Sequence, residues 1–234
     1  MTGQQILNLM NYFGKGIPNY AGDTLTDAQA LLQINRAVRL LSKKLNQWDS
    51  LIVVTLVADT RSHSLRSTTV FSRKVIKPFY LVINGDPLLD ASGERPGFFT
   101  VHEADRYYPD WRTRTSGQTF AAILSGNEKI TYLPPPNSTV VSAGQNYLAG
   151  TYLAADLTAL SETPDIPEEF HECLAAMGAT FAGGVNGEGE IWNRIQAINA
   201  DWPEMVMDHA QMNANAYQDW GSTSGYTQPD YMWT

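Results

Sequence analysis

The sequence predicts an α+β protein in which a discontinuous α-helical bundle carries an inserted antiparallel β sandwich or barrel-like module and an extended C-terminal arm. Three observations indicate this fold class. An amphipathic helix follows Thr26, about a hundred residues of strand-like sequence come next, and helical periodicity returns at Asp165. Because each helical part has an apolar stripe that needs a partner, we expect the two parts to pack together and to hold the β module outside the bundle.

The predicted organisation is a helical bundle formed by residues 1–50 and 160–212, a β-rich inserted domain at 51–159 and an extended arm at 213–234. The chain has 234 residues, of which 43% are hydrophobic, so it can bury one substantial core or two small ones. This composition excludes a globally disordered chain.

Two helices are predicted in the first helical part. A short one covers Gln4 to Phe13 and ends in a turn at residues 14–19. The second runs from Thr26 to Trp48, because Thr26 and Gln29 can form a capping box and a helical apolar stripe follows. The residues of this stripe are Leu31, Ile34, Val38, Leu41, Leu45 and Trp48.

The middle of the chain has an extended pattern. Runs rich in β-branched and aromatic residues predict strands at 51–57, 75–83, 98–101, 120–124, 129–133 and 147–153. Asn84-Gly85 predicts a tight hairpin, since both residues tolerate a positive φ. The segment from Glu103 to Trp111 is predicted to form one helical turn and an aromatic loop. Strands at this spacing favour an antiparallel sandwich or small barrel.

The second helical part begins at Asp165, with Pro167 in its first turn. Its apolar series, Phe170, Leu174, Met177 and Phe181, ends at Gly183-Gly184. A further series runs from Ile191 to Met205, and Pro203 predicts a kink or a break within it.

Charge and cysteine content limit the classes of function that fit the sequence. The formal net charge is −8, which argues against a dedicated nucleic-acid-binding protein, because phosphate binding requires a positive surface. The single cysteine, Cys173, lies in an apolar helical pattern and is expected to be a buried thiol. The start of the chain lacks the pattern of a leader peptide, and no membrane span is predicted, so we expect a soluble protein made in the cytoplasm.

No catalytic, metal or cofactor site is predicted, and the protein is not expected to be an enzyme. None of the four histidines has metal-ligand spacing, and the His171/Cys173 pair is interpreted as one surface and one core residue. The glycine-rich segment 183–189 lacks the lysine of a phosphate-binding loop and contains an acidic residue, so it is interpreted as a flexible loop between helices. No nucleophile elbow is present.

Several short motifs occur in the order found in the adaptor, or head-to-tail connector, proteins of tailed bacteriophages. They are Thr26-Asp27-Ala28-Gln29, Ile34-Asn35-Arg36-Ala37, Tyr108-Pro109-Asp110-Trp111, Ser116-Gly117-Gln118, Leu133-Pro134-Pro135-Pro136 and Asp165-Ile166-Pro167-Glu168-Glu169-Phe170-His171-Glu172. The chain resembles this family over roughly residues 4–200. No shared motif follows about Pro203.

The resemblance implies a structural virion protein located in the neck, at the junction of portal and tail. It implies a ring of about twelve copies beneath the portal that leaves a channel for DNA without sequence-specific binding. The implied partners are the portal protein, other copies of the chain, and a tail, nozzle or tail-completion protein. The helical domain would face the portal or ring neighbours, and the β module would face the tail.

Two groups of residues are predicted to form ring or portal contacts. The first is the basic face of the long helix, formed by Arg36, Arg39, Lys43 and Lys44, for which the alternative is an ordinary solvated surface. The second is the aromatic content of the C-terminal arm, which would insert into grooves of a neighbouring subunit or else fold back on its own chain. Its members are Tyr217, Trp220, Tyr226, Tyr231 and Trp233.

Two other classes of function are open. The β module could be an interaction or carbohydrate-binding module of the tail, because exposed rings of Tyr107, Tyr108 and Trp111 could stack on sugars, although core packing explains the same residues. A hydrolase with an unrecognised site is the remaining alternative.

Overall fold

The computed structural model describes residues 1–21, 24–126 and 128–222. It confirms the α+β class: the described residues form seven α-helices, and their seven strands form two open antiparallel sheets. The chain divides into two compact units. The helical unit contains Met1–Gln47 and Ala154–Ala216, and the β unit contains Trp48–Leu153.

The N-terminal part of the helical unit contains α1 (Gly3–Gly14) and α2 (Asp27–Leu45). A capping box of Thr26 and Gln29 begins α2, as predicted. The helix ends three residues earlier than predicted, because Asn46 adopts a left-handed conformation with φ of 50°. Trp48 consequently belongs to the first strand and not to the helix.

The C-terminal part contains α5 (His171–Ala182), α6 (Glu188–Ile198) and α7 (Trp202–Ser222), and a 3₁₀ turn at Glu168–Phe170 leads into α5. The expected break lies between α6 and α7. Pro203 occupies the first turn of α7, where its missing N–H has no intrahelical partner to lose.

The core of the helical unit surrounds α5, which packs against both α1 and α2. Of the twelve residues of α5, nine are buried, and most are alanine, glycine or another small residue. Small side chains allow close packing: a Cβ at Gly178 would lie 2.8 Å from the Met10 sulfur. The predicted apolar stripe of α2 also lines this core, and its residues Ile34, Val38 and Leu41 are fully buried.

The β unit has a four-stranded sheet in the order β1-β7-β3-β4 and a three-stranded sheet in the order β2-β6-β5. The strands are β1 (Trp48–Val53), β2 (Ser62–Ser64), β3 (Lys74–Ile83), β4 (Asp86–Pro87), β5 (Ala121–Ser125), β6 (Lys129–Leu133) and β7 (Tyr147–Leu153). Side chains of both sheets, such as Ile52, Leu81 and Tyr132, share one core. Two short helices, α3 (Val101–Tyr107) and α4 (Ser138–Ser142), connect the strands.

The two ends of the β unit lie side by side, because Trp48 at the start of β1 pairs with Thr151 near the end of β7. The predicted hairpin joins β3 to β4, with φ of 55° at Asn84 and 89° at Gly85. Positive φ at both central residues is the geometry of a tight hairpin turn, so this prediction is confirmed.

Two predicted elements are wrong. Residues 98–101 do not form a strand, because Phe99 makes only an isolated bridge with Ile123 and the side chain of Thr100 caps α3. The extended arm does not begin at residue 213: α7 continues as helix to Ser222. Asn213 anchors this helix by donating its side-chain N–H to the carbonyl oxygen of Leu45 at 3.0 Å. Residues 223–234 lie outside the described residues.

Candidate functional site

The predicted basic face of α2 lies on the surface of the helical unit. Arg36, Arg39, Lys43 and Lys44 are all exposed. Arg36 has no acidic partner among its described contacts. It donates a hydrogen bond to Gln33, and its guanidinium carbon lies 4.4 Å from the centroid of the Phe181 ring. This cation–π contact holds the Arg36 stem against α5 and leaves the guanidinium edge accessible.

Two of these cations pair with carboxylates that follow the β unit in the sequence. Arg39 donates two hydrogen bonds to Asp156, at 2.8 and 2.5 Å. The hydrogen bond that Arg39 donates to Asp156 raises the pKa of the Arg39 guanidinium, so the cation stays charged. Lys44 forms an ion pair with Glu188 and lowers the pKa of that carboxyl. The basic face is therefore partly used to connect sequence-distant parts of the helical unit.

Two uncharged side chains of α2, Asn35 and Ser42, also bind residues 154–157. We call the contact of Asn35, Arg39 and Ser42 with residues 154–157 the α2 seam. The amide of Asn35 donates to the Leu157 carbonyl oxygen at 2.9 Å and accepts from the Leu157 N–H at 2.8 Å. The Ser42 hydroxyl accepts from the Ala154 N–H at 2.9 Å. Sequence analysis missed the seam, although Asn35 and Ser42 are polar residues close to the apolar stripe of α2.

The aromatic residues of the predicted arm are only partly described. Tyr217 and Trp220 lie within α7, whereas Tyr226, Tyr231 and Trp233 lie outside the described residues. The contact role of all five residues, like that of the basic face, stays a prediction. Three methionines, Met205, Met207 and Met212, are exposed on the described part of α7, although the predicted apolar series included Met205.

The loop after α3 buries one of the three rings that the sequence offered for sugar stacking. Trp111 is only 8% exposed and packs in a small core, and its indole N–H donates to Asp105 at 2.8 Å. Arg61 anchors the loop by donating to the carbonyl oxygens of Trp111 and Arg114, at 2.5 and 2.8 Å. Of the three rings considered, Tyr107 is the exposed one.

His171 was expected on the surface and is instead buried, with 2% of its area exposed. Its Nδ1 lies 2.8 Å from the Met1 nitrogen and its Nε2 lies 2.9 Å from the Ile166 carbonyl oxygen. Burial lowers its pKa, so the neutral ring is favoured. Cys173 is buried as predicted, and burial raises the pKa of its thiol to about 12.

No group of three or more His, Cys, Asp or Glu residues among the described residues could hold a metal ion. None of the helices of the described residues has the length and apolarity needed to cross a bilayer.

Charge is unevenly distributed between the parts of the chain. Residues 154–193 contain no lysine or arginine and eight carboxylates: Asp156, Glu162, Asp165, Glu168, Glu169, Glu172, Glu188 and Glu190. The β unit, over residues 48–153, contains ten lysines and arginines and nine carboxylates. Most of the net negative charge of the protein thus resides in the helical unit.

Comparison with known proteins gives one family match. A family model described as SU10 adaptor protein matches residues 8–222. The match extends past Pro203 into the C-terminal part of α7, beyond the roughly 4–200 span inferred from the motifs. None of the curated proteins matches the chain.

Proposed function

Because the chain belongs to the SU10 adaptor family of bacteriophages, we propose that this structural virion protein forms a ring beneath the portal and joins the capsid to the tail. The family match over residues 8–222 is the observation that carries the proposal. In the assembled neck, about twelve copies surround a channel through which DNA passes. The protein acts by geometry and needs no chemical step.

The division into two compact units supports a connecting role. Each unit has its own buried core, so each can present an independent surface to a different partner. We propose that the helical unit faces the portal or the ring neighbours and that the β unit faces a tail, nozzle or tail-completion protein. Large interfaces of this kind take their strength from many contacts and not from a single pocket.

Two surfaces of the helical unit are proposed as contacts with the portal or with ring neighbours. The first is the accessible edge of the basic α2 face, chiefly Arg36 and Lys43. The second is α7, whose described part exposes Met205, Met207 and Met212. Methionine side chains adapt to irregular partner surfaces, and the aromatic residues from Tyr217 onward would add rigid contact area.

The acidic balance of the helical unit suits a channel protein. Carboxylates that face a channel repel the phosphate backbone, so DNA slides past without being bound. We propose that some of the carboxylates of residues 154–193 line the channel or its rim.

The test is assembly with the portal protein encoded by the same phage. The two purified proteins are mixed and examined by mass photometry and by electron microscopy. A ring of this chain attached to the portal is the expected result. A chain that stays monomeric beside assembled portal, at concentrations where neck proteins associate, contradicts the proposal.

The basic face has a matched control. Arg36→Glu combined with Lys43→Glu should weaken portal or ring association, while Arg66→Glu combined with Lys129→Glu makes the same charge change on the β unit and should not. Circular dichroism confirms that all variants keep their helical content. Equal association of both double variants would remove the basic α2 face from the interface.

A further inference from the structure

The β unit carries an exposed cluster of aromatic and arginine side chains around α3 and the loop that follows it. We call it the platform: Arg106, Tyr107, Arg112, Arg114 and Phe120. Tyr107 is 52% exposed and Phe120 is 41% exposed, which is high for rings of this size. The carbon of the Arg114 guanidinium lies 5.6 Å from the Phe120 ring centroid, and that of Arg106 lies 5.6 Å from the Tyr107 ring centroid.

The platform is held in one arrangement before any partner arrives. Asp105 pairs with Arg112, and Asp110 accepts a hydrogen bond from Arg114 at 2.9 Å. Arg61 fixes the loop backbone from below, as described above. A surface that is already ordered loses little conformational entropy on binding, and tyrosine and arginine are enriched among the residues that dominate binding energy.

The platform also has a cation that no carboxylate neutralises among its described contacts. Arg106 lies in the last turn of α3, is exposed, and its described interaction is with the Tyr107 ring. A partner that fits this surface therefore offers a carboxylate to Arg106.

The same chain contains such a surface, which we call the acidic turn: Glu168, Glu169 and Glu172 at the entry to α5. All three residues are exposed, and the side chain of Glu168 is 86% exposed. Glu168 lies 3.9 Å from the N-terminal ammonium of Met1, whereas Glu169 and Glu172 have no ion pair among the described residues. Pro167 and the partly buried Asp165 precede it, and they complete a polar surface with little lysine or arginine of its own.

We propose that the platform of one copy docks on the acidic turn of a second copy of this chain. Arg112 and Arg114 already pair with Asp105 and Asp110, so two platforms placed face to face would offer no carboxylate to Arg106, and pairing two acidic turns would bring carboxylates together. Like charges at an interface are unfavourable, so a two-fold symmetric dimer through either surface is disfavoured. A contact between the platform of one copy and the acidic turn of the next instead joins copies head to tail. This is the type of contact that closes into a ring.

This inference rests on the proposed function, because it identifies the contact between ring neighbours. It is tested on the full chain by sedimentation equilibrium at low salt, where charge pairs are least screened. Arg106→Glu and Tyr107→Ala are separate platform variants, and Glu168→Arg with Glu169→Arg is the acidic-turn variant. Each should weaken self-association by roughly tenfold, which corresponds to about 1.4 kcal/mol of lost or opposing interaction.

A charge exchange gives the sharper result. When Arg106→Glu is combined with Glu168→Arg and Glu169→Arg in one chain, the two surfaces are complementary again, and self-association should recover at least part of the loss. Arg66→Glu is the matched control, because it makes the same charge change at a β-unit side chain that is 78% exposed and lies outside the platform. It should associate like the unchanged protein.

Platform variants that associate as strongly as the Arg66→Glu control would overturn the inference, as would an unchanged protein that stays monomeric over the whole concentration range. Portal binding of the same variants separates this outcome from the proposed function. Portal-bound rings that form equally well with Arg106→Glu remove the platform and leave the adaptor role in place. Self-association that depends on the platform, in a protein that never binds portal, leaves the platform and removes the adaptor role.

Discussion

The α2 seam makes a quantitative prediction, because one side chain connects two parts of the helical unit that are more than a hundred residues apart in the sequence. Asn35→Ala removes both hydrogen bonds to Leu157, at 2.9 and 2.8 Å. Each bond contributes about 0.5–1.5 kcal/mol, so the loss is about 2 kcal/mol. Alanine regains about 0.6 kcal/mol through its higher helix propensity. The expected net loss in the free energy of unfolding is about 1.4 kcal/mol.

Asn8→Ala is the matched control for this change. It has the same propensity gain within a helix, but it removes only an exposed side-chain hydrogen bond from Gln4 at 3.3 Å. We expect Asn8→Ala to be neutral or slightly stabilising, so the two variants should differ by about 2 kcal/mol.

The assay is urea unfolding of the full chain followed by circular dichroism at a helix-sensitive wavelength, since the helical unit contains the longest helices. With a slope of about 1–3 kcal/mol per molar urea, a difference of 2 kcal/mol separates the two midpoints by roughly 1 M. Equal midpoints for Asn35→Ala and Asn8→Ala would refute the argument that the seam stabilises the helical unit.

Three further predictions concern the cores and the buried titratable groups. Gly150→Ala should destabilise the β unit by at least about 2 kcal/mol, because the new Cβ would lie 2.6 Å from the Lys77 carbonyl oxygen, and thermal unfolding measures this loss. His171 has a folded-state pKa below its unfolded value, so the stability it supports is complete above about pH 6.5 and falls as the pH decreases toward the folded pKa, as urea midpoints at several pH values will show. Cys173 should react with a thiol reagent only after unfolding, since burial raises its pKa to about 12.

Each of these predictions has a control. Gly16→Ala should be tolerated, because nothing lies within 4 Å of the position of its Cβ. His171→Gln should flatten the pH dependence relative to the unchanged protein, and an identical profile would show that another group causes the decline. Rapid labelling of Cys173 in the native protein at mildly alkaline pH would contradict its burial.

The sequence predicted those elements that local physical chemistry determines. The capped, periodic helix α2 has its start and buried face at the expected positions, and the Asn84-Gly85 hairpin is present. Both follow from residues close together in the chain. The strands β6 and β7 likewise have the bounds that their composition indicates.

Features that depend on distant partners were missed or misjudged. Asn35 and Ser42 bind segments more than a hundred residues away, and no local pattern signals such a pair. His171 is buried because the Ile166 carbonyl satisfies its ring, so its polarity alone gave the wrong location. Residues 213–222 have the composition of a loop, yet they continue α7 as helix, and Asn213 donates a hydrogen bond to the Leu45 carbonyl oxygen of α2. The platform required the fold of the β unit to bring Phe120 next to Arg114.

The pairing of Trp48 with Thr151 has an evolutionary consequence. Directly opposite residues of an antiparallel pair lie about 5 Å apart, so a folded β unit spans no more distance between its two ends than a short loop would. The distance between the two attachment points in the helical unit therefore does not depend on how many residues lie between them, as long as those residues fold. A β module of a different length could therefore be inserted at the same two points without moving the ends of the helical unit that it joins.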